Sequence, residues 1–328
     1  MYNQDRTITE AIYLGSKFIK QQLLSGNYGL SCLGKDGTPK FSNNKGHLFS
    51  VFHIANALME DMTEIERAIF LVRILSEENQ GEWGYSPRGY YKETGDNPFF
   101  VDSDDTAFAL RTLRLLGIYR VNDVLLKYKC VCKNIDYAFT TFVTASKEKS
   151  LVTIPDFENN LQIHPEVNAN IFHVLLDSNN DHLINEKLIV TSQKSDGSWS
   201  SFFYPNSYYP TFQFMSLLKI TGKLKYCYDK GMNYVSGMQN ANGAWGDNND
   251  VYLSAMALKT LCLNKKSSEQ IKKGVDFLLS KIESDGSWLS NQIIWEFYDQ
   301  DGDVWRAFDE NRVITTSVCV EALKSSMV

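Results

Sequence analysis

A short unit recurs along this chain and limits what it can fold into. Each copy is a run with one charged face, then a glycine turn that carries tryptophan, then a second, more apolar run. Gly81-Glu82-Trp83, Gly197-Ser198-Trp199, Gly243-Ala244-Trp245 and Gly286-Ser287-Trp288 mark four copies, and Gly26-Asn27-Tyr28-Gly29 is a degenerate one. The runs that lead into them include Arg67–Arg73, Lys187–Gln193, Lys230–Gln239 and Lys273–Leu279. A repeat of this size is one supersecondary unit, and it buries its apolar face only against its neighbours.

The second runs align with one another and begin near His47, Asp102, Glu166, Ser207, Asp250 and Arg312. They are apolar or small-sided around most of their circumference, which marks buried helices. First runs such as Thr63–Leu75 and Glu269–Lys281 carry a charged face and belong outside. Sustained period-2 alternation is absent, so strands have little support. The expectation is an all-α chain: a single (α/α)6 double-helical barrel of six helical hairpins, occupying residues 1–328 as one domain. The segment 146–160 has no Gly-x-Trp and reads as a worn repeat.

One inner run opens differently from the others, with Asp102-Ser103-Asp104-Asp105-Thr106-Ala107. Asp is a common helix cap, which accounts for one carboxylate here. Three in four residues cannot all ionise cheaply, so at least one is pushed toward its neutral form. A neutral carboxylic acid at neutral pH is a proton donor. The net charge of −6, without a Lys/Arg run, excludes nucleic acid as a partner. No apolar run is long enough to span a membrane and no leader pattern opens the chain. The six cysteines follow no disulfide framework, and Cys130-Val131-Cys132 lacks zinc spacing. The reading is a reduced, cytoplasmic protein with no metal site.

The Lys-Gly…Gln…Gly-x-Trp units resemble the QW motifs of squalene–hopene cyclase and its relatives. Asp102 to Ala107 is similar, position for position, to the Asp-x-Asp-Asp-Thr-Ala motif of class II terpene cyclases. Larger members of that class set the active site between two barrels; a chain with one barrel looks like the single-domain cyclases that act on prenylated aromatic acids to make meroterpenoids. The resemblance implies cyclisation of a linear isoprenoid, either such a meroterpenoid precursor or a prenyl diphosphate, begun by protonation. It implies Asp104 as the acid, with Asp102 and Asp105 supporting it. No cofactor is implied, and Mg²⁺ enters only if the substrate carries a diphosphate.

Spacing adds a condition. Residues two apart on a helix point about 200° apart, so Asp102 faces Asp104 only from the turn before the helix. Aligning the inner helices puts Phe49, Asn168, Tyr209, Tyr252 and Ile314 at the level of Asp104. Of these, Phe49, Tyr209 and Tyr252 offer π faces to a carbocation. Asn168 and Asn170 need partners on a buried helix, so one of them is expected to hydrogen-bond the acidic motif or help end the reaction. His53 is a rival for that role. The segments 85–101 and 289–311, with Phe100, Trp295 and Trp305, are expected to roof the cavity, because long loops in compact folds are usually functional. The repeat tryptophans are expected to be structural. Arg88, Lys92, Arg306 and Arg312 are candidates to meet one anionic head group.

Other readings separate by their residues. A non-catalytic barrel that binds an isoprenoid or a protein would not need the acidic triplet. A zinc prenyltransferase subunit would need an Asp-x-Cys with a downstream His, which is not found. An ionisation-first synthase would need Asp-Asp-x-x-Asp, which Asp104-Asp105-Thr106-Ala107-Phe108 breaks. Peripheral membrane contact suits so apolar a substrate, though no basic amphipathic segment supports it. The oligomeric state is not written in the sequence.

Overall fold

The structure, a computed structural model, describes residues 7–34, 37, 39–42, 48–85, 101–120, 123–132, 135–142, 163–264, 268–298 and 304–327. Eleven α-helices lie in that set. They are α1 (Ile8–Ser25), α2 (Leu48–Leu58), α3 (Glu64–Ser76), α4 (Ser103–Leu115), α5 (Pro165–Asp177) and α6 (Glu186–Ser192). The series continues with α7 (Tyr208–Thr221), α8 (Lys225–Gly237), α9 (Val251–Cys262), α10 (Glu269–Ser280) and α11 (Val313–Ser326).

Six of them form a closed inner ring: α2 packs on α4, α4 on α5, α5 on α7, α7 on α9, α9 on α11, and α11 back on α2. Every inner helix starts within a residue or so of the position its apolar run predicts. Around them lie α1, α3, α6, α8 and α10. The exception is the outer element after α4, where a 3₁₀ turn (Asp123–Tyr128) takes the place of a helix. It leads into a two-stranded antiparallel hairpin, β3 (Lys129–Cys132) with β4 (Asp136–Phe139). The expected worn repeat at 146–160 lies outside the described residues.

The repeat tryptophans explain why the hairpins stack. Trp83, Trp199, Trp245 and Trp288 have no exposed surface. Each indole N–H donates to a carbonyl near the end of the preceding outer helix: Ile74, Ile189, Val235 and Leu278, at 2.8–2.9 Å. Carbonyls near a helix end lack the regular i+4 donor, and the indole N–H adds one. Each Trp backbone N–H is in turn accepted by a hydroxyl on the following inner helix, from Thr106, Thr211, Ser254 and Thr316. Thr106 of the acidic motif is therefore part of the repeat. The next unit leans on the same spot: a Cβ at Gly15 of α1 would meet the Trp288 ring at 2.9 Å. That contact joins the last repeat to the first helix and shuts the ring.

The chain also contains strands that the alternation test did not foresee. β1 (Ser31–Leu33), β2 (Pro39–Ser42), β5 (Ile293–Tyr298) and β6 (Val304–Phe308) make an antiparallel sheet in the order β2-β1-β6-β5. It lies at the barrel end where the inner helices begin, since β6 runs through Asp309 into α11, and Asp309 accepts from Val313 and Thr315 N–H. No helix among the described residues is long and apolar enough to cross a membrane.

Candidate active site

The acidic motif is built into the start of α4. Asp102 is its N-cap, in extended conformation (φ −139°, ψ 165°), and accepts from the Asp105 N–H at 2.7 Å. It thus stands on the turn before the helix, as the 200° argument requires. The start is pinned on two sides. Asp102 N–H donates to the Trp83 carbonyl, and Ser103 donates through N–H to Thr141 O and through Oγ to Thr140 O, both at 2.8 Å. These last contacts tie the motif to the end of β4.

All three carboxyls are held above the usual range, chiefly because burial penalises the anion. Asp102 is pushed up to about 6, and N–H donors limit the rise. Asp105 is raised well above its ordinary value by burial and by its two acidic neighbours. Asp104 is raised well above it by burial and by the charge of Asp102; the Asn170 hydrogen bond and the Arg111 cation oppose the rise. Carboxyls coupled this closely titrate as a group. Asp102 and Asp105 are buried, whereas Asp104, equally deep, keeps some exposed surface.

Aromatic rings stand beside it. Phe49 on α2 and Tyr209 on α7 belong to helices on opposite sides of the ring, yet their rings are 6.0 Å apart, so both point into the lumen. Phe108 lies 5.4 Å from Phe49, and Tyr204 stacks on Tyr209 at 4.0 Å. Below them a polar chain crosses the barrel. Asn170 Nδ2 donates to Asp104 Oδ1 at 2.8 Å and to Tyr209 Oη at 3.2 Å. Arg111 Nη1 donates to Asn170 Oδ1 at 3.1 Å and to Gln213 Oε1 at 3.4 Å. A protonated carboxyl can transfer a proton to an apolar substrate, and π faces set beside it can stabilise the cation that forms.

Known proteins share this fold. A family model described as the squalene-hopene cyclase C-terminal domain matches residues 79–298, about two thirds of the chain. The chain belongs to the squalene-hopene cyclase C-terminal domain family. Among solved structures, the type II terpene cyclase MstE from Scytonema, in complex with geranylgeranyl dihydroxybenzoate, is similar at TM-score 0.73 and 16% identity, covering 97% of each chain. A protein from Actinoplanes matches at TM-score 0.73 and 17% identity over 98% of this chain and 100% of its own. The ent-copalyl diphosphate synthase from Streptomyces platensis matches at TM-score 0.61 and 18% identity, over 86% of this chain and 50% of that one. No curated protein matches the chain.

Within this squalene-hopene cyclase-like barrel the other expected residues divide. Asn170 reaches Asp104, whereas Asn168 is spent on β4: it accepts from Phe139 N–H and donates to the Phe139 and His164 carbonyls at 2.9–3.0 Å. Its position beside Asp104 along the helix axis does not bring its side chain to the lumen, because it is two residues from Asn170 and points elsewhere. Tyr252 is fully buried, and among the described residues its hydroxyl has no hydrogen-bond partner. His53 is in the lumen, its ring 6.4 Å from that of Tyr209, and its Nδ1 is 3.8 Å from Glu321 Oε1. Trp295 on β5 meets the Tyr85 ring edge-on at 5.1 Å, and the next residue, Glu296, donates N–H to the Phe203 carbonyl. Trp305 is on β6 and half-buried. Phe100, Arg88 and Lys92 lie outside the described residues. Arg306 pairs with Glu296 and Arg312 with Asp285, which occupies both.

Several lumen groups escaped the sequence reading. Arg111, Lys259 and Glu321 are charged residues on inner helices, and Lys259 pairs with Glu321 at 2.6 Å. A charge inside an otherwise apolar run is a signal that was there to be read, and Arg111 is two turns from Asp104 on the same helix. Tyr204 precedes α7 and carries no periodic mark at all. Among the described residues no group of three or more His, Cys, Asp or Glu is placed to hold a metal ion.

Proposed function

We propose that this chain is a class II terpene cyclase that protonates a linear isoprenoid carried on an aromatic acid and lets the chain close into rings. One observation carries the reading: Asp104 is held toward its protonated form, keeps some accessible surface, and stands beside the packed rings of Phe49, Tyr209 and Tyr204 in the barrel interior. Asp104 is the donor. Asp102 and Asp105 keep it protonated by burial and like-charge coupling and fix the helix start on which it stands. The rings stabilise the cation, and Trp295 and Trp305 belong to the roof that keeps water away. Asn170 orients the acid, and Tyr252 shapes the wall. Asn168 serves the fold instead.

The substrate class follows from the MstE complex with geranylgeranyl dihydroxybenzoate, together with a single barrel in place of two. Residues 1–328 act as one domain. Proton transfer from a carboxyl requires no cofactor, and Mg²⁺ would serve only a diphosphate head group. All six cysteines are free thiols, in keeping with work in the cytoplasm.

The test is Asp104→Asn, assayed with geranylgeranyl dihydroxybenzoate. Asn is isosteric but has no carboxyl proton, so cyclisation should fall by at least about a thousandfold while the fold persists. Full cyclisation by a folded variant would overturn the assignment.

A further inference from the structure

Arg111 is a cation in the wrong place for a site that must bear a carbocation. It is half-buried on an inner helix, with its guanidinium 4.5 Å over the Phe52 ring, and burial lowers its pKa from the ordinary value. Its hydrogen bonds go to two neutral amides, Asn170 and Gln213, and among the described residues no carboxylate lies within ion-pair distance of it. The charged groups in its field are Asp104, Asp177 and Glu321. Asp177 pairs with Arg114, and Glu321 with Lys259. Its outer side borders a small pocket of about 20 Å³, open on one side, between the ends of α4 and α5, room for one water. A half-buried charge held by neutral amides and not by a carboxylate calls for a reason.

Asn170 supplies the reason. A guanidinium can only donate, so whatever faces Arg111 Nη1 must be the Asn170 carbonyl oxygen. The amide is then fixed: its NH₂ points to Asp104 Oδ1 and Tyr209 Oη. Because Oδ1 is the acceptor, the proton of the neutral acid sits on Oδ2. We propose that Arg111 is a positioning residue that acts through Asn170, fixing the Asp104 proton on Oδ2 and stabilising the carboxylate left when that proton departs, so that the acid is strong enough for an unactivated alkene. This rests on the cyclase reading above and names the alkene-ended isoprenoid as its substrate.

The step balances without a co-reactant. The alkene π pair forms a C–H bond with the Oδ2 proton, and the O–H pair stays on Asp104 as carboxylate. The neighbouring carbon becomes the cation. Burial and the other acidic residues favour the neutral acid before transfer, and a cation held one amide away favours the anion after it. Such an interaction grows with the developing charge, which is the condition for lowering a barrier.

An oxirane is a far better base than an alkene, so the two substrates separate acid strength from shape. The experiment compares Arg111→Gln, which keeps an amide donor but removes the charge, with Arg111→Lys, which restores the charge. Each is given geranylgeranyl dihydroxybenzoate and the same compound bearing a terminal epoxide. The expected result is that Arg111→Gln loses at least a hundredfold in kcat on the alkene and no more than tenfold on the epoxide. Arg111→Lys should recover alkene turnover to within tenfold of the parent. Equal losses on both substrates, or a lysine variant as poor as the glutamine one, would overturn the proposal. Failure of the parent enzyme on both substrates would instead sink the cyclase reading.

Discussion

Asp102 does two jobs that a single substitution pulls apart. As a cap it accepts the Asp105 N–H, and Asn caps a helix about as well. As a charge it raises the pKa of Asp104. In Asp102→Asn the cap stays and the charge goes, so Asp104 loses its proton at a lower pH. The alkaline limb of kcat/KM should therefore move to lower pH, as read from a pH–rate profile. Stability moves the other way. Burial pushes Asp102, within the coupled group, up to about 6 in the fold from the ordinary 3.8 of the unfolded chain, so between those values the native state binds more protons. The wild-type fold is favoured below that window and loses stability as pH rises through 6. In Asp102→Asn that loss disappears, and melting curves at pH 4, 5.5 and 7 should show the variant gaining by a few degrees toward neutral pH. The acidic triplet was legible because like charges so close together are unusual in any sequence. Asn170 was legible only as one of a pair, since which amide meets Asp104 depends on helix rotation that a sequence does not state. Arg111 was overlooked although it interrupts an apolar run.

At the scale of elements the repeat carries the information. A Cβ on Gly243 would fall 2.2 Å from the Lys273 carbonyl oxygen, and its φ of +89° disfavours any L side chain. Gly243→Ala should cost at least about 2 kcal/mol, read as a lower urea midpoint, with the product pattern unchanged in whatever protein folds. Asn168→Leu should behave alike. It strands the Phe139 N–H and C=O in a buried place, a loss of about 2 kcal/mol, yet leaves turnover per folded molecule intact. A selective loss of turnover would return Asn168 to the substrate wall. The starts of the inner helices were readable because each is an apolar run behind a turn. The strands were not: β1 pairs with both β2 and β6, and the β1–β6 register joins Ser31 to Phe308 across nearly the whole chain. Strands of three to six residues show too little alternation to announce themselves, and the 3₁₀ turn at Asp123–Tyr128 sits where the repeat has lost its marker.

On the scale of the whole molecule, closing the ring creates both the lumen and the problem of its open end. The inner helices start at the end where Asp104 stands, and the β2-β1-β6-β5 sheet is gathered at that same end from segments that precede α2 and α11. β5 is tied to the barrel wall by Glu296 N–H on the Phe203 carbonyl, and Trp295 closes on Tyr85. Larger relatives in this class cover the acid with a second barrel; here a sheet and its aromatic side chains stand at that end. A carbocation reacts with any water that reaches it, so the roof should be visible in the products as well as in the rate. Trp295→Ala opens space beside Tyr85 without touching the acid. Mass spectrometry should then find a larger share of hydrated product, one water heavier than the cyclised alkene, while substrate consumption falls by less than about tenfold. The same product mixture made more slowly would mean that Trp295 only braces the sheet, and that water is excluded elsewhere in the roof.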